Sequence, residues 1–221
     1  MLSGCDTAPT ADNGQRANQR GLDQTTAELR KSQISELSYQ LDIALNEQGA
    51  PFNGEVSIDF TYTPQEQPLT IDFTNGTVSQ LTLNGKTVTF DYNGFFISLE
   101  ESLLTAGRNN LTVTYSHPYS SDGAGLYYFT DRSDGRIYTY SDLEPYDANR
   151  IFPLFDQPNL KATFALNVTA PAHWQIISNV REASIEEQGQ QRLWRFPAGP
   201  VMSSYVFALH AGEYATIELD S

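Results

Sequence analysis

The stretch YSDLEPYDANRIFPLFDQPNLKATFALNVTA, residues 140–170, decides the fold of this chain. It begins at the end of one strand, passes through a turn segment punctuated by prolines, and continues into a second strand. Residues 146–150 are expected to form one helical turn, with Asp147 near its N-terminal end, where a negative charge is favourable. In the second strand apolar side chains occupy every second position, which predicts that one of its faces is buried. These apolar residues are Leu160, Ala162, Phe164, Leu166 and Val168.

The same alternation recurs along most of the chain. It predicts strands over 37–45 and 56–62, and a hairpin over 78–92 around Asn84-Gly85, a pair that supplies the positive φ of a tight turn. A short helix is predicted from Thr25 or Thr26 to Lys31. The expected fold is all-β, an antiparallel β-sandwich or saddle-like curved sheets with that short N-terminal helix and the helical turn near 146–150. Further strands are expected over 203–211, in the centre of a sheet, and over 213–219.

Composition narrows the class of protein. The chain has 221 residues, 24 Tyr and Phe together, and a net charge of −14 from 27 acidic and 13 basic residues. Such a charge repels nucleic acid, so no nucleic-acid partner is expected. No stretch is apolar and long enough to span a membrane. With Cys5 the single cysteine, an intrachain disulfide is impossible.

The N-terminal residues differ in composition from the rest. Residues 1–22 are predicted to be a flexible leader, and residues 23–221 one β domain. The leader contains Leu2-Ser3-Gly4-Cys5, which is similar to a bacterial lipobox, where lipid is attached to the cysteine. Either the sequence begins inside a longer signal peptide or this match is chance, and the polar tail after it favours the first. Cys5 is therefore the predicted lipidation site of a membrane tether at the bacterial cell envelope; without lipid the expected location is cytoplasmic.

Two carboxylates near the opening stretch are the candidate functional side chains. Asp142 and Glu144 are two residues apart, so on one strand they would point the same way, with Cα atoms about 6.5–7 Å apart. Pro145 favours extended geometry for Glu144, which places it at the end of its strand. Paired acids at this spacing also occur in glycosidases, and surface acids at a strand end are the plainer interpretation.

The sequence gives little support for a metal site or for a binding surface of another kind. His117, His173 and His210 do not have the spacing of a zinc motif, so no metal site is expected in this chain. Several aromatic residues could line a peptide- or sugar-binding surface, although strand alternation assigns about half of them to the core. They are Tyr127, Tyr128, Phe129, Tyr138, Tyr140 and Tyr146.

The residues 143–164, LEPYDANRIFPLFDQPNLKATF, resemble the signature of the N-terminal β domain of the aminopeptidase N family of zinc metallopeptidases. The neighbouring segments 125–142 and 169–179 are similar to that family as well. The resemblance implies an N-terminal substrate-cleft domain of an enzyme that hydrolyses the first residue from peptides. The zinc, and the HExxH helix that binds it, would belong to a catalytic domain of the same polypeptide that is absent from this sequence, so this segment alone is expected to be inactive.

The resemblance also assigns roles to single residues. Glu144 matches the glutamate that helps hold the free α-ammonium of the peptide, and Asp142 stands where relatives usually have a glutamine that contacts the first side chain. A shorter, charged residue there favours basic or small first residues. Arg150 and Asp156 could pair across the loop. The alternative function is a free-standing β-sandwich lipoprotein that binds peptides or glycans.

Overall fold

A computed structural model describes residues 16–217 of the chain. One α-helix, α1, spans Gln24–Gln33; its N-cap is Asp23, whose carboxylate accepts a hydrogen bond from the Thr26 amide. The predicted caps Thr25 and Thr26 were therefore wrong by two or three residues. The strands are β1 Ile34–Ala44, β2 Phe52–Tyr62, β3 Leu69–Asp72, β4 Thr77–Leu83, β5 Lys86–Thr87, β6 Asp91–Tyr92, β7 Phe96–Leu99, β8 Gly107–His117, β9 Gly125–Thr130, β10 Ile137–Asp142, β11 Thr163–Pro171, β12 Gln175–Ser178, β13 Ser184–Gln188, β14 Gln191–Phe196 and β15 Leu209–Gly212.

These strands form three open sheets. The large sheet has the order β13-β14-β11-β1-β2-β8-β4-β5, a four-stranded sheet has β12-β15-β10-β9, and a three-stranded sheet has β3-β7-β6. The mostly β class with one short helix is confirmed. The pairing is antiparallel except between β1 and β11, which run parallel. That pair joins two strands more than a hundred residues apart in sequence, and local alternation carries no information about their relative direction.

The inner face of the large sheet carries the core. Along β2 buried and more exposed residues alternate throughout, as the sequence predicted. Tyr39 of β1 stacks on Phe164 of β11 with ring centroids 4.9 Å apart, so the parallel pair is also held by aromatic packing.

The proline-punctuated segment is part of this core. Phe155 packs edge-to-face on Phe60 with centroids 5.5 Å apart, and its amide donates to the Tyr39 hydroxyl at 3.0 Å. Leu154 forms a backbone bridge with Asp72 of the three-stranded sheet. The segment thus connects the sheets, and its apolar residues are buried.

Three local predictions differ from the structure. The predicted strand over 203–211 is a single 3-10 turn, Ser204–Val206, followed by β15. Of the predicted last strand, residues 213–217 form no strand and the remainder lies outside the described residues. In the predicted hairpin over 78–92, the second arm keeps only the two residues of β5.

Candidate functional site

Asp142 and Glu144 lie at the end of β10, and both are exposed. Asp142 is the last residue of the strand and pairs with Gly125 of β9. Glu144 follows in a turn and is joined to Pro145 by a cis peptide bond. The prediction that one strand carries both acids was wrong, because the strand ends before Leu143, which is buried. The two carboxylates remain neighbours in sequence at the same end of the four-stranded sheet.

The turn that carries Glu144 is held from several sides. The Asp147 amide donates to the Leu143 carbonyl at 3.0 Å, which closes the turn. The predicted helical turn is confirmed as a 3-10 turn over Ala148–Arg150 with Asp147 at its N-cap. Arg20 donates to the Tyr146 carbonyl at 2.6 Å and forms an ion pair with Asp147.

Part of the predicted leader therefore contacts the domain. Besides Arg20, Arg16 donates to the Tyr146 hydroxyl at 3.1 Å, and its guanidinium lies over the Phe96 ring at 4.2 Å. The boundary at residue 22 stays a prediction, and Cys5 lies outside the described residues. Sequence patterns gave no signal for these two arginines, because they lie in a polar stretch without apolar periodicity.

Beneath the turn is a buried ionic cluster centred on Asp72. Its carboxylate is fully buried and pairs with Arg16 at 2.5 Å and with Arg30 of α1 at 2.6 Å. The same carboxylate accepts the Asp156 amide at 2.9 Å. Two guanidinium groups and one amide thus satisfy the carboxylate, as burial of a charge requires. The cluster ties the leader, the helix and the proline-punctuated segment to the three-stranded sheet.

Asp156 is a second buried acid close to this cluster. It accepts hydrogen bonds from the Asn149 amide at 3.0 Å, the Asn149 side chain at 2.8 Å and the Ser204 hydroxyl at 2.7 Å. Burial, followed by the negative charge of Asp72, nevertheless raises the pKa of Asp156 to about 6. The expected pair between Arg150 and Asp156 does not form.

Arg150 instead fixes the neighbouring loop. It donates twice to Asp122, both at 2.8 Å, and also contacts Asp147 at 3.4 Å. Gly125, at the start of β9, has φ of +74°, and a Cβ there would lie 2.9 Å from Cβ of Arg150. The loop before β9 thus packs closely against the turn that follows Glu144, and only glycine is compatible with both the dihedral angle and the contact.

The raised pKa of Asp156 predicts a pH dependence of stability. The unfolded chain releases this proton near the ordinary pKa of 3.8, whereas the folded domain holds it to about 6. The folded domain therefore binds the extra proton between these pH values, and the contribution of Asp156 to stability is full below the lower value. We expect that contribution to fall by roughly 2–3 kcal/mol as the pH rises from about 4 to about 6.

Urea unfolding at several pH values would measure this dependence. Other acids titrate in the same range, so the quantity of interest is the difference between the wild-type protein and Asp156→Asn. The unfolding free energy of Asp156→Asn is lower at every pH because the variant has one acceptor fewer. Its dependence on pH, however, lacks the contribution of the titrating group. Curves of unfolding free energy against pH that run parallel for the two proteins would contradict the assignment.

Four of the six aromatic candidates share one surface of the four-stranded sheet. Tyr127, Phe129, Tyr138 and Tyr140 lie on the same face of the four-stranded sheet and are half-buried. We call this surface the aromatic face; it also includes His210 and Ile177, which are in register with Tyr140 across β15 and β12. None of the six aromatic candidates belongs to the buried core, so the prediction that strand alternation places about half of them there was wrong. The hypothesis that they bind a sugar or peptide stays a prediction.

An apolar groove of about 560 Å³ opens beside Pro145. It separates the turn from α1 and from the segment after Phe155. The groove is lined by Leu22, Ala27, Pro145, Tyr146, Asp156, Gln157, Pro158 and Asn159.

The three histidines lie apart from one another. The His117 ring contacts the backbone carbonyls of Thr74 and Pro118, His173 lies 3.4 Å from Glu47, and His210 stacks on Tyr140. Within residues 16–217 no group of three potential metal ligands comes together. The described part of the chain also contains no helix long and apolar enough to cross a membrane.

Comparison with known proteins agrees with the motif. The family model described as Peptidase M1 N-terminal domain matches residues 35–206. The chain therefore belongs to this peptidase family, and the matched residues form its N-terminal domain. The resemblance to aminopeptidase N seen in residues 143–164 is confirmed.

Two relatives and one solved structure define the match further. The chain is 34% identical over 200 residues to aminopeptidase N of Streptomyces lividans, which covers 89% of this chain and 23% of the relative. It is 34% identical over 120 residues to aminopeptidase N of Acetobacter pasteurianus, covering 52% of this chain and 34% of the relative. The structure of native yeast LTA4 hydrolase superposes with a TM-score of 0.73 over 85% of this chain and 30% of that one, at 16% identity, which shows the shared fold. The chain thus spans about a quarter of the length of the Streptomyces relative.

Proposed function

We propose that this chain is the substrate-cleft domain of a zinc aminopeptidase, which removes the first residue from peptides with a free N-terminus. The observation that carries the proposal is the exposed Glu144 on a turn fixed by Asp147, Arg20 and Arg16, in a chain whose relatives include aminopeptidases. A carboxylate held in place at an edge of the domain is a suitable partner for a compact cation such as an α-ammonium group.

Glu144 would select for an unblocked N-terminus. When a second domain covers the turn and excludes water, the carboxylate needs a cationic partner, because an unpaired charge in such a site costs several kcal/mol. A peptide with an acetylated N-terminus supplies none and is rejected. Asp142, exposed on the preceding strand end, would contact the first side chain and favour basic or small residues there.

Zinc belongs to another part of the proposed enzyme. The described residues provide no three-ligand cluster, so they do not fit a zinc ion, and we assign this chain no step at the metal. The role of the chain is to bind and orient the amino end of the peptide, and its partner is a catalytic domain of the same polypeptide. The open reading frame tests this directly, because it should continue past residue 221 into an HExxH sequence.

Glu144→Gln is the variant that tests the site. In the polypeptide encoded by the complete open reading frame, we expect kcat/KM for peptides with a free N-terminus to fall by about 10–100-fold, since a charge-assisted hydrogen bond becomes a neutral one. Hydrolysis of peptide amides by the purified polypeptide gives the measurement. Glu55→Gln, on an exposed position of β2, is the matched control. An unchanged kcat/KM in the Glu144 variant would contradict the assigned role.

The relatives favour this function over a free-standing binding lipoprotein. We also propose a lipid-anchored location at the bacterial cell envelope, supported by Leu2-Ser3-Gly4-Cys5 and the polar residues that follow. Arg16, the first described residue, contacts the domain, so the ten residues between it and Cys5 would span at most about 35 Å. Incorporation of a labelled fatty acid in the wild-type protein but not in Cys5→Ser would support the anchor.

A further inference from the structure

Residues 16–20 form a short segment, which we call the strap, that lies against the turn carrying Glu144. Two arginines anchor it: the Arg16 side chain is 2% exposed and the Arg20 side chain is 37% exposed. The Arg16 guanidinium also donates to the Arg20 carbonyl at 3.3 Å, which closes the strap on itself. Residues 17–19 are exposed and include no large apolar side chain, so contacts of the two guanidinium groups hold the strap in place.

Both anchors contact Tyr146, two residues after Glu144. Arg16 donates to the Tyr146 hydroxyl at 3.1 Å, and Arg20 donates to the Tyr146 carbonyl at 2.6 Å. The Arg20 guanidinium also lies 5.7 Å from the centre of the Tyr146 ring, within range of a cation–π attraction. Arg20 forms an ion pair with Asp147 as well, and the Asp147 amide closes the turn. The strap therefore contacts the residues that determine where Glu144 points.

The contact between Arg20 and Asp147 belongs to a chain of alternating charges. Arg150 contacts the same Asp147 carboxylate at 3.4 Å and donates twice to Asp122 in the loop before β9. An isolated exposed ion pair contributes little, whereas charges in a network restrain one another's side chains. Arg20 is the member of this network that belongs to the strap. Without it, Asp147 would keep only the longer contact with Arg150.

We propose that the strap is part of the α-ammonium site and that Arg20 is a positioning residue for Glu144. This inference rests on the proposed function and adds a means of regulating it. Glu144 is exposed, so contacts of its neighbours must orient it. A misplacement of about 1 Å in such a site costs up to about 100-fold in rate. Proteolytic removal of the strap, whose residues 17–19 are exposed, would therefore weaken the selection for a free N-terminus.

Arg20→Met, which keeps the length of the side chain and removes its charge, tests this role in the polypeptide of the complete open reading frame. We expect kcat/KM for a peptide amide with a free N-terminus to fall about tenfold. The slow hydrolysis of the same amide without its α-amino group should stay unchanged, because that substrate offers Glu144 no cation. A merely structural loss would lower both values by the same factor.

Two further substitutions serve as controls. Arg20→Lys keeps the charge and should recover part of the loss. Arg181→Met, at an arginine whose side chain is 91% exposed, should change neither substrate. An unchanged kcat/KM for the free N-terminus in Arg20→Met would overturn the proposal.

A double-mutant cycle shows whether Arg20 acts through Glu144. In a Glu144→Gln background, Arg20→Met should lower kcat/KM by less than about twofold, because the carboxylate that it orients is gone. The same factor in both backgrounds would show that Arg20 acts independently of Glu144 and would overturn the proposal.

Amide hydrogen exchange gives a measurement that does not depend on catalysis. The amides of residues 143–147 should exchange about tenfold faster in Arg20→Met than in the wild-type polypeptide, and those of β2 at equal rates, since only the turn loses a contact. Unchanged exchange at the turn would overturn the proposal. The proposed function fails separately. A Glu144→Gln variant with unchanged kcat/KM rejects that function and the assigned role of Arg20 with it, whereas a loss in Glu144→Gln without one in Arg20→Met rejects only the strap.

Discussion

Asp72→Ala is expected to destabilise the domain by about 3–5 kcal/mol, the cost of removing one partner from a buried ion pair. The carboxylate is fully buried and is shared by Arg16 and Arg30, whose side chains are 2% and 1% exposed. Alanine would leave both guanidinium groups buried next to each other without their common counter-charge. It would also remove the acceptor of the Asp156 amide.

Chemical denaturation followed by tryptophan fluorescence would measure the loss. Asp91→Ala, which removes an exposed acid from the same three-stranded sheet, is the matched control and should change the unfolding free energy by less than about 0.5 kcal/mol. A loss for Asp72→Ala no larger than that of the control would show that the cluster does not stabilise the fold. Where the variant is recovered only as unfolded protein, Arg30→Met measures the same contact from the other side and should also destabilise.

The long strands of the large sheet were predictable because each of them has one buried face. In β1, β2 and β11 the alternation of side chains is set by the pleat itself, so the local sequence contains the information. The prediction of a strand over 203–211 was wrong because this segment has no such alternation. Its continuous run of apolar residues has no period, and such a run fits a buried 3-10 turn as well as a central strand.

The buried cluster could not be predicted from local patterns. Arg16 and Asp72 are separated by 56 residues, and Arg30 and Asp72 by 42, so only the folded chain brings them together. Glu144 was singled out by its motif, while its placement on a turn rather than a strand depends on where the pairing of β10 with β9 stops. The family motif therefore located the candidate site, and the contacts that hold it came from the structure.

Trp174→Ala is the second change with a large expected effect, a loss of about 3–5 kcal/mol. Trp174 is the largest of the fully buried side chains in the described residues, with 0% exposure. It lies between the end of β11 in the large sheet and the start of β12 in the four-stranded sheet, where its amide donates to the Pro171 carbonyl at 3.0 Å. Alanine would leave a cavity at the point where the chain passes from one sheet to the other.

The position of Trp174 gives this variant a local consequence as well. Because β12 is an edge of the sheet that carries the aromatic face, loosening it should raise amide hydrogen exchange in β12 and β15 more than in β1 and β2. Trp174→Phe, which keeps most of the volume, should lose clearly less stability and leave the exchange pattern nearly unchanged. Equal losses for the two variants would show that the ring does not act by filling space. A uniform rise in amide exchange would show that Trp174 does not stabilise the four-stranded sheet, which has Asp142 at its end, more than it stabilises the large sheet.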